Sequence, residues 1–103
     1  MKTHLQQLSE EIAAGSAQLI DVREQGEWDC GHIVGATLIP LSEIRGGLEP
    51  EDMDYSKKSY LYCRSGVRVF AAQPILEDFG FDQVIPLNEG FEELVSEGFE
   101  PEQ

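Results

Sequence analysis

The sequence predicts a small α/β domain built on a central, mainly parallel sheet of four or five strands flanked by helices. Three observations carry this expectation. Short apolar runs alternate along the chain with segments of helical periodicity, the order that parallel strands joined by helical crossovers produce. The runs hold apolar residues on both faces, as strands covered on both sides require. Glycine or proline closes most of the segments, so the elements are short and clearly separated.

In chain order, Thr3 with Gln6 reads as a capping box that opens a helix over about residues 4–14, with Leu5, Leu8 and Ile12 on one face and Gly15 as its stop. Leu19-Ile20-Asp21-Val22 is a buried strand, and Glu24 to Asp29 has the length of one helical turn. Ala36-Thr37-Leu38-Ile39 is a second strand ended by Pro40, followed by a short helix through Leu41, Ile44 and Leu48 that frays at Gly46-Gly47. The acidic stretch from Glu49 to Asp54 is a solvated loop. Ser59-Tyr60-Leu61-Tyr62 is a third strand. A helix from about Val67 to Phe79 follows, with Val67, Phe70, Ala71 and Ile75 expected inward, a kink expected at Pro74, and Gly80 past its end. Val84-Ile85 is a last short strand, and Asn88 is placed to cap a closing helix whose Phe91, Leu94 and Val95 face the core.

A chain of 103 residues that is 41% hydrophobic is expected to form one domain over residues 1–103. Seven basic against 20 acidic residues give a net charge of −13, which disfavours nucleic acid and anionic membrane surfaces as partners. No apolar run approaches the roughly 20 residues that span a bilayer, and the N-terminus lacks the apolar stretch of a signal peptide. Cys30 and Cys63 make no disulfide framework and read as thiols in a reducing compartment, so a cytoplasmic location is expected.

The segment that carries chemistry is Tyr62-Cys63-Arg64-Ser65-Gly66-Val67-Arg68. A cysteine ends a buried strand, a short loop holding a glycine follows, and a helix begins. Ligands of such sheets lie beyond the carboxyl ends of the strands, which is where Cys63 stands. A loop curled round the sulfur points successive N–H groups and a helix N-terminus into one concavity, which binds anions and lowers a thiol's pKa below its free value of about 8.5. Gly66 allows a backbone angle that residues with Cβ resist. Arg64 and Arg68 flank the loop and offer forked donors to an anion. They concentrate positive charge locally within an acidic chain. An ionisable Asp21 in a buried strand calls for a partner, an arginine being suitable.

The chain resembles the single-domain rhodanese-like sulfurtransferases over almost its whole length. The matching stretches are Leu19 to Glu24, Glu27-Trp28, Gly31-His32-Ile33, Gly35-Ala36, Ile39-Pro40-Leu41, Tyr62 to Arg68, Ala71-Ala72, and Gly80-Phe81 with Val84. The resemblance implies a small α/β fold in which Cys63 is the nucleophile and persulfide carrier. Arg64 and Arg68 match positions that bind the anionic part of the sulfur donor, Ser65, Gly66 and Val67 supply loop N–H groups, and Asp21 and Arg23 brace the structure. Phosphatases on this fold carry one more residue between cysteine and arginine than the four that separate Cys63 from Arg68. Mercaptopyruvate enzymes of the broader family usually lack an arginine directly after the cysteine, so Arg64 favours thiosulfate.

The resemblance thus implies a thiosulfate sulfurtransferase that needs no metal or organic cofactor. Its partners would be a small anionic donor, thiosulfate, and an acceptor that is cyanide, a thiol or a protein. The alternative is a sulfur-carrier or regulatory module supplied by a protein donor. Departures from the family pattern include Glu89, where a glycine is usual, Leu94 in place of a frequent tryptophan, and Val69 and Pro74. Glu89 is expected to point to water, the alternative being a carboxylate that repels donors or recruits a cationic partner. Cys30 is read as a small half-buried residue, with a relay or resolving thiol as the alternative; a zinc site at Cys30-Gly31-His32 is disfavoured. His32 is read as structural, with a general base as the alternative, and Trp28 and Phe91 are read as core residues, the alternative being that they border the pocket.

Overall fold

The computed structural model describes all residues from Met1 to Gln103. In chain order the elements are α1 (Thr3–Ala13), β1 (Ala17–Asp21), α2 (Gln25–Asp29), β2 (His32–Ile33), β3 (Thr37–Leu38), α3 (Leu41–Arg45), β4 (Lys58–Tyr62), α4 (Arg68–Phe79), β5 (Val84–Pro86), α5 (Phe91–Ser96) and β6 (Pro101–Glu102). Four strands form one sheet in the order β3-β1-β4-β5, every pair parallel. This is the mixed α/β architecture that the alternating pattern predicts, with four strands in its central sheet. β1 and β4 occupy the centre in a register that sets Ile20 beside Leu61 and Asp21 beside Tyr62.

Strand alternation sorts the side chains of these two strands onto opposite faces. Ile20, Val22, Leu61 and Cys63 join Leu41 and Ile44 from α3 and Val69, Ala72 and Leu76 from α4 in one core. Leu19, Tyr60 and Tyr62 face the other way, onto Leu5 and Leu8 of α1 and Leu94 of α5. Cys63 is thus committed by its place in the alternation to the side of the sheet that α4 covers. A separate antiparallel pair joins β2 to β6, with His32 opposite Glu102 and Ile33 opposite Pro101. No signal in the sequence marks this pair, because two-residue strands carry too little pattern to read.

Three local expectations are corrected. Thr3 forms no capping box: it already lies inside α1, the N-cap is Lys2, and no side chain caps it. The reciprocal box belongs to α2, where the Glu24 carboxylate accepts the Glu27 N–H and the Glu27 carboxylate accepts the Glu24 N–H. Asn88 does not cap α5, whose N-cap is Gly90.

The third correction concerns the rotation of α4. Its inward face is Val69, Ala72 and Leu76, whereas Val67 and Phe70 are 69% and 51% exposed; Ala71 and Ile75 pack only partly against the core. Apolar residues occupy most of this helix's circumference, so periodicity alone leaves its phase open, and packing against β4 decides it. Pro74 lies inside α4, which runs unbroken from Arg68 to Phe79 and stops at Gly80. No helix is long and apolar enough to cross a membrane.

The phase of α4 has a direct consequence for stability. Leu76→Ala, at a fully buried site, is expected to cost about 2–5 kcal/mol, and Val67→Ala no more than about 0.5 kcal/mol. Urea melts of the two variants measure the difference, and equal losses would contradict this orientation.

Candidate active site

Cys63 is the first residue after β4, at the carboxyl end of a central strand of the sheet. It is fully buried, and its Sγ accepts the Gly66 N–H at 3.2 Å. Gly66 has a φ of +78°, the left-handed conformation that turns the loop back over the sulfur. Burial pushes the Cys63 thiol up, but the N–H groups of Val69, Ser65, Gly66 and Arg68 together outweigh it and hold the thiol below its ordinary value. The donors are split between the loop and the first turn of α4, so the helix N-terminus completes the cradle. Val67, in the same turn, directs its side chain to solvent.

A second segment presses on this loop. The Leu87 N–H donates to the Leu61 carbonyl and the Phe91 N–H to the Cys63 carbonyl, both at 2.9 Å, which extends the pairing of β4 and β5 past the end of the sheet. Between these anchors the two backbones nearly touch. A Cβ on Gly66 would stand 2.3 Å from the Asn88 carbonyl oxygen, and one on Gly90 would stand 1.8 Å from that of Arg64. Only glycine fits at either place without moving backbone.

The two arginines of the motif have different fates. Arg68 donates from both terminal nitrogens to Glu27, at 2.6 and 2.8 Å. That pair holds the Glu27 carboxyl at about 2 and keeps it ionised under all ordinary conditions. Glu27 is not among the site residues expected from the sequence, although Glu27-Trp28 is one of the stretches that carry the resemblance and its spacing to Glu24 fits the capping box. Arg64 makes no ion pair and no side-chain hydrogen bond, and it lines a cavity of about 370 Å³ together with Arg23, Glu27, Cys30, Phe91 and Glu92. Of the two arginines that line this cavity, Arg23 is paired with Asp21 and Arg64 has no carboxylate partner, while the fully enclosed Cys63 is not itself part of the cavity wall.

The wall of the cavity is braced from below. Buried Asp21 accepts from the Nε and Nη2 of Arg23 at 2.7–3.0 Å and from the Arg23 backbone N–H at 2.9 Å. The same guanidinium donates to the Gly31 carbonyl at 2.7 Å and lies 4.6 Å from the centre of the Phe91 ring. On the neighbouring strand the Tyr62 hydroxyl accepts the Ile33 N–H at 3.0 Å. These contacts tie the ends of β1 and β4 to the segment from Gly31 to Ile33 and to α5.

Two expectations fail here. Cys30 is exposed and lines the cavity rather than being half-buried, because it caps the C-terminal end of the short α2, which buries no residue of its own. Glu89 does not point to water: it is only 3% exposed, and its carboxylate meets Lys2 Nζ and His4 Nε2, each at 3.0 Å. It faces α1 instead of the cavity. His32 is structural, with Nδ1 on the Trp28 carbonyl at 3.0 Å, Nε2 near Glu102 at 3.2 Å and its ring stacked on Trp28. No group of three His, Cys, Asp or Glu side chains converges in a way that could hold a metal ion.

Comparison with known proteins places this geometry in context. The family described as the rhodanese-like domain matches residues 4–97. The uncharacterized protein YqhL of Bacillus subtilis is 42% identical over 84 residues, covering 80% of this chain, and the chain spans 65% of that protein's length. The thiosulfate sulfurtransferase GlpE of Shewanella oneidensis is 31% identical over 85 residues, 82% of each chain. Among solved structures, the human single-domain sulfurtransferase TSTD1 superposes with a TM-score of 0.77 at 25% identity, covering 89% of this chain and 92% of its own.

The cradle makes a measurable demand on Cys63. In a Cys30→Ser background that leaves one thiol, alkylation by iodoacetamide is expected to rise with pH and level off around a midpoint below the free-thiol value of about 8.5. The sign follows from the depressed pKa: the thiolate is already present at a pH where a free cysteine is still protonated. A midpoint at or above that of free cysteine would contradict the cradle.

Proposed function

The chain belongs to the rhodanese-like domain family, and from that premise we propose that it is a thiosulfate sulfurtransferase which carries sulfane sulfur as a persulfide on Cys63. The observation that carries the reading is a buried sulfur met by loop and helix N–H groups, next to an arginine with no carboxylate partner. The first feature supplies a nucleophile without a general base. The second supplies a cation where the sulfonate end of the donor would sit.

The cycle balances in two displacements. The Cys63 thiolate attacks the outer sulfur of thiosulfate; a new S–S bond forms, the old one breaks, and its electron pair leaves with sulfite. The terminal persulfide sulfur is anionic and is held by the N–H groups of Ser65, Gly66, Arg68 and Val69 that favoured the thiolate. Cyanide or a thiolate then attacks that outer sulfur, giving thiocyanate or a new persulfide, and the electron pair of the broken bond returns to Cys63. The charge changes sulfur but not sign, so a fixed array of donors serves every stage. No proton has to move, and no metal or organic cofactor takes part in either step. Arg64 binds the donor, Arg68 with Glu27 fixes the first turn of α4, and Asp21 with Arg23 supports the wall.

A second reading, a sulfur-carrier module charged by a protein donor, is favoured by one feature. Val67 and Phe70 stand exposed immediately after the Cys63 loop, where a protein surface approaching the sulfur would meet them. The cytoplasm is the proposed location, since both cysteines are unpaired and the cycle requires Cys63 reduced.

Two measurements test the enzyme reading. Mass spectrometry after exposure to thiosulfate should find one added sulfur atom, removed by cyanide and absent in Cys63→Ala; an unchanged mass of the native protein would refute it. Arg64→Ala should raise the KM for thiosulfate by roughly 10- to 100-fold, the equivalent of one charge-assisted hydrogen bond of about 1.5–3 kcal/mol. An unaltered KM would remove Arg64 from donor binding.

A further inference from the structure

Glu89 is a buried carboxylate that the sulfur-transfer cycle does not use. It lies in the segment joining β5 to α5, where it is almost wholly enclosed. Both of its oxygens lie 3.0 Å from His4 Nε2, and one is also 3.0 Å from Lys2 Nζ. Lys2 is itself held in place, its Nζ reaching Glu93 at 3.0 Å and its backbone N–H reaching Glu97 at 3.1 Å. A charge buried with two cationic or hydrogen-bonding partners from a distant part of the chain fixes backbone strongly, because breaking the set strands an ion out of water.

The neighbours of Glu89 give this anchor its meaning. Asn88 presents its carbonyl to Gly66, and Gly90 lies against the Arg64 carbonyl, so the residues on either side of Glu89 are the ones that bear on the Cys63 loop. Gly66 in turn donates to Sγ. A continuous path of close contacts therefore runs from the start of α1, through Glu89 and its two neighbours, to the loop whose N–H groups surround the sulfur.

We infer that Glu89, clamped by Lys2 and His4, is a positioning residue for the sulfur site: it holds residues 88–90 against the Cys63 loop and so keeps the loop N–H groups aimed at Sγ. This rests on Cys63 being the reactive sulfur. The clamp acts at a distance from the cavity and touches neither donor nor acceptor. It ties the readiness of the thiolate to the packing of α1, an element on the opposite face of the sheet from α4.

The test reads the Cys63 thiolate directly, by the pH dependence of iodoacetamide alkylation in a Cys30→Ser background. Glu89→Gln should raise the midpoint by about one unit and slow alkylation at neutral pH by about tenfold. The double variant Lys2→Ala/His4→Ala, which changes two half-exposed side chains, should move the midpoint the same way, and Lys2→Arg should leave it at the wild-type value. A folded Glu89→Gln with the wild-type midpoint and rate would overturn the inference. If Glu89→Gln does not fold, the double variant decides by the same readout, an unchanged midpoint overturning it. Sulfur uptake from thiosulfate by the native protein is scored separately, so a shifted midpoint without sulfur uptake would uphold the clamp while refuting the sulfurtransferase reading.

Discussion

A buried sulfur can ionise only if donors meet it, and around Cys63 the donors are backbone N–H groups. Side-chain donors would bring flexibility and rotamer entropy; backbone groups are fixed once the path of the chain is fixed. The requirement therefore becomes one of shape. β4 delivers the cysteine, a loop of four residues curls over it, α4 begins before its own first N–H groups have found partners, and the segment from Leu87 to Phe91 presses the loop down from outside. Glycine at 66 and at 90 is the steric condition for that closeness.

Charge is arranged around the same demand. With 20 acidic residues in 103, an unpaired cation is scarce, and most of the basic side chains near the site are already engaged. Arg23 is buried against Asp21, and Arg68 forks onto Glu27, so each acts as a brace. Arg64 is left to face the cavity. In a chain of net charge −13, it is the one cation lining that cavity without a carboxylate partner.

The buried ion pairs carry structure more than stability, since desolvation offsets much of the attraction within each pair. What they contribute is geometry. Asp21 and Arg23 join β1 to Gly31 and, through the ring of Phe91, to the start of α5. Glu89 joins the β5–α5 connection to the start of α1. Together they fix the connections that close the cavity and bear on the Cys63 loop, while the apolar cores on the two faces of the sheet supply the driving force for folding.

The fold class and the sulfur loop were legible in the sequence because both are written in local pattern. Apolar runs such as Leu19-Ile20 and Tyr60-Leu61 mark buried strands by composition alone, and a cysteine at a strand end followed by Arg64-Ser65-Gly66 marks the turn over the sulfur within a few residues. The rotation of α4 was not legible, since apolar residues surround that helix and only contact with β4 selects Val69, Ala72 and Leu76. The partner of Arg68, the enclosure of Glu89 and the exposure of Cys30 were also beyond local reading. Glu27 and Arg68 lie 41 positions apart, and Glu89 and Lys2 lie 87 apart. An ionisable side chain looks the same in sequence whether it meets water or a counter-ion. Which of the two it meets is decided by where the backbone brings distant residues together, and that is a property of the folded chain alone.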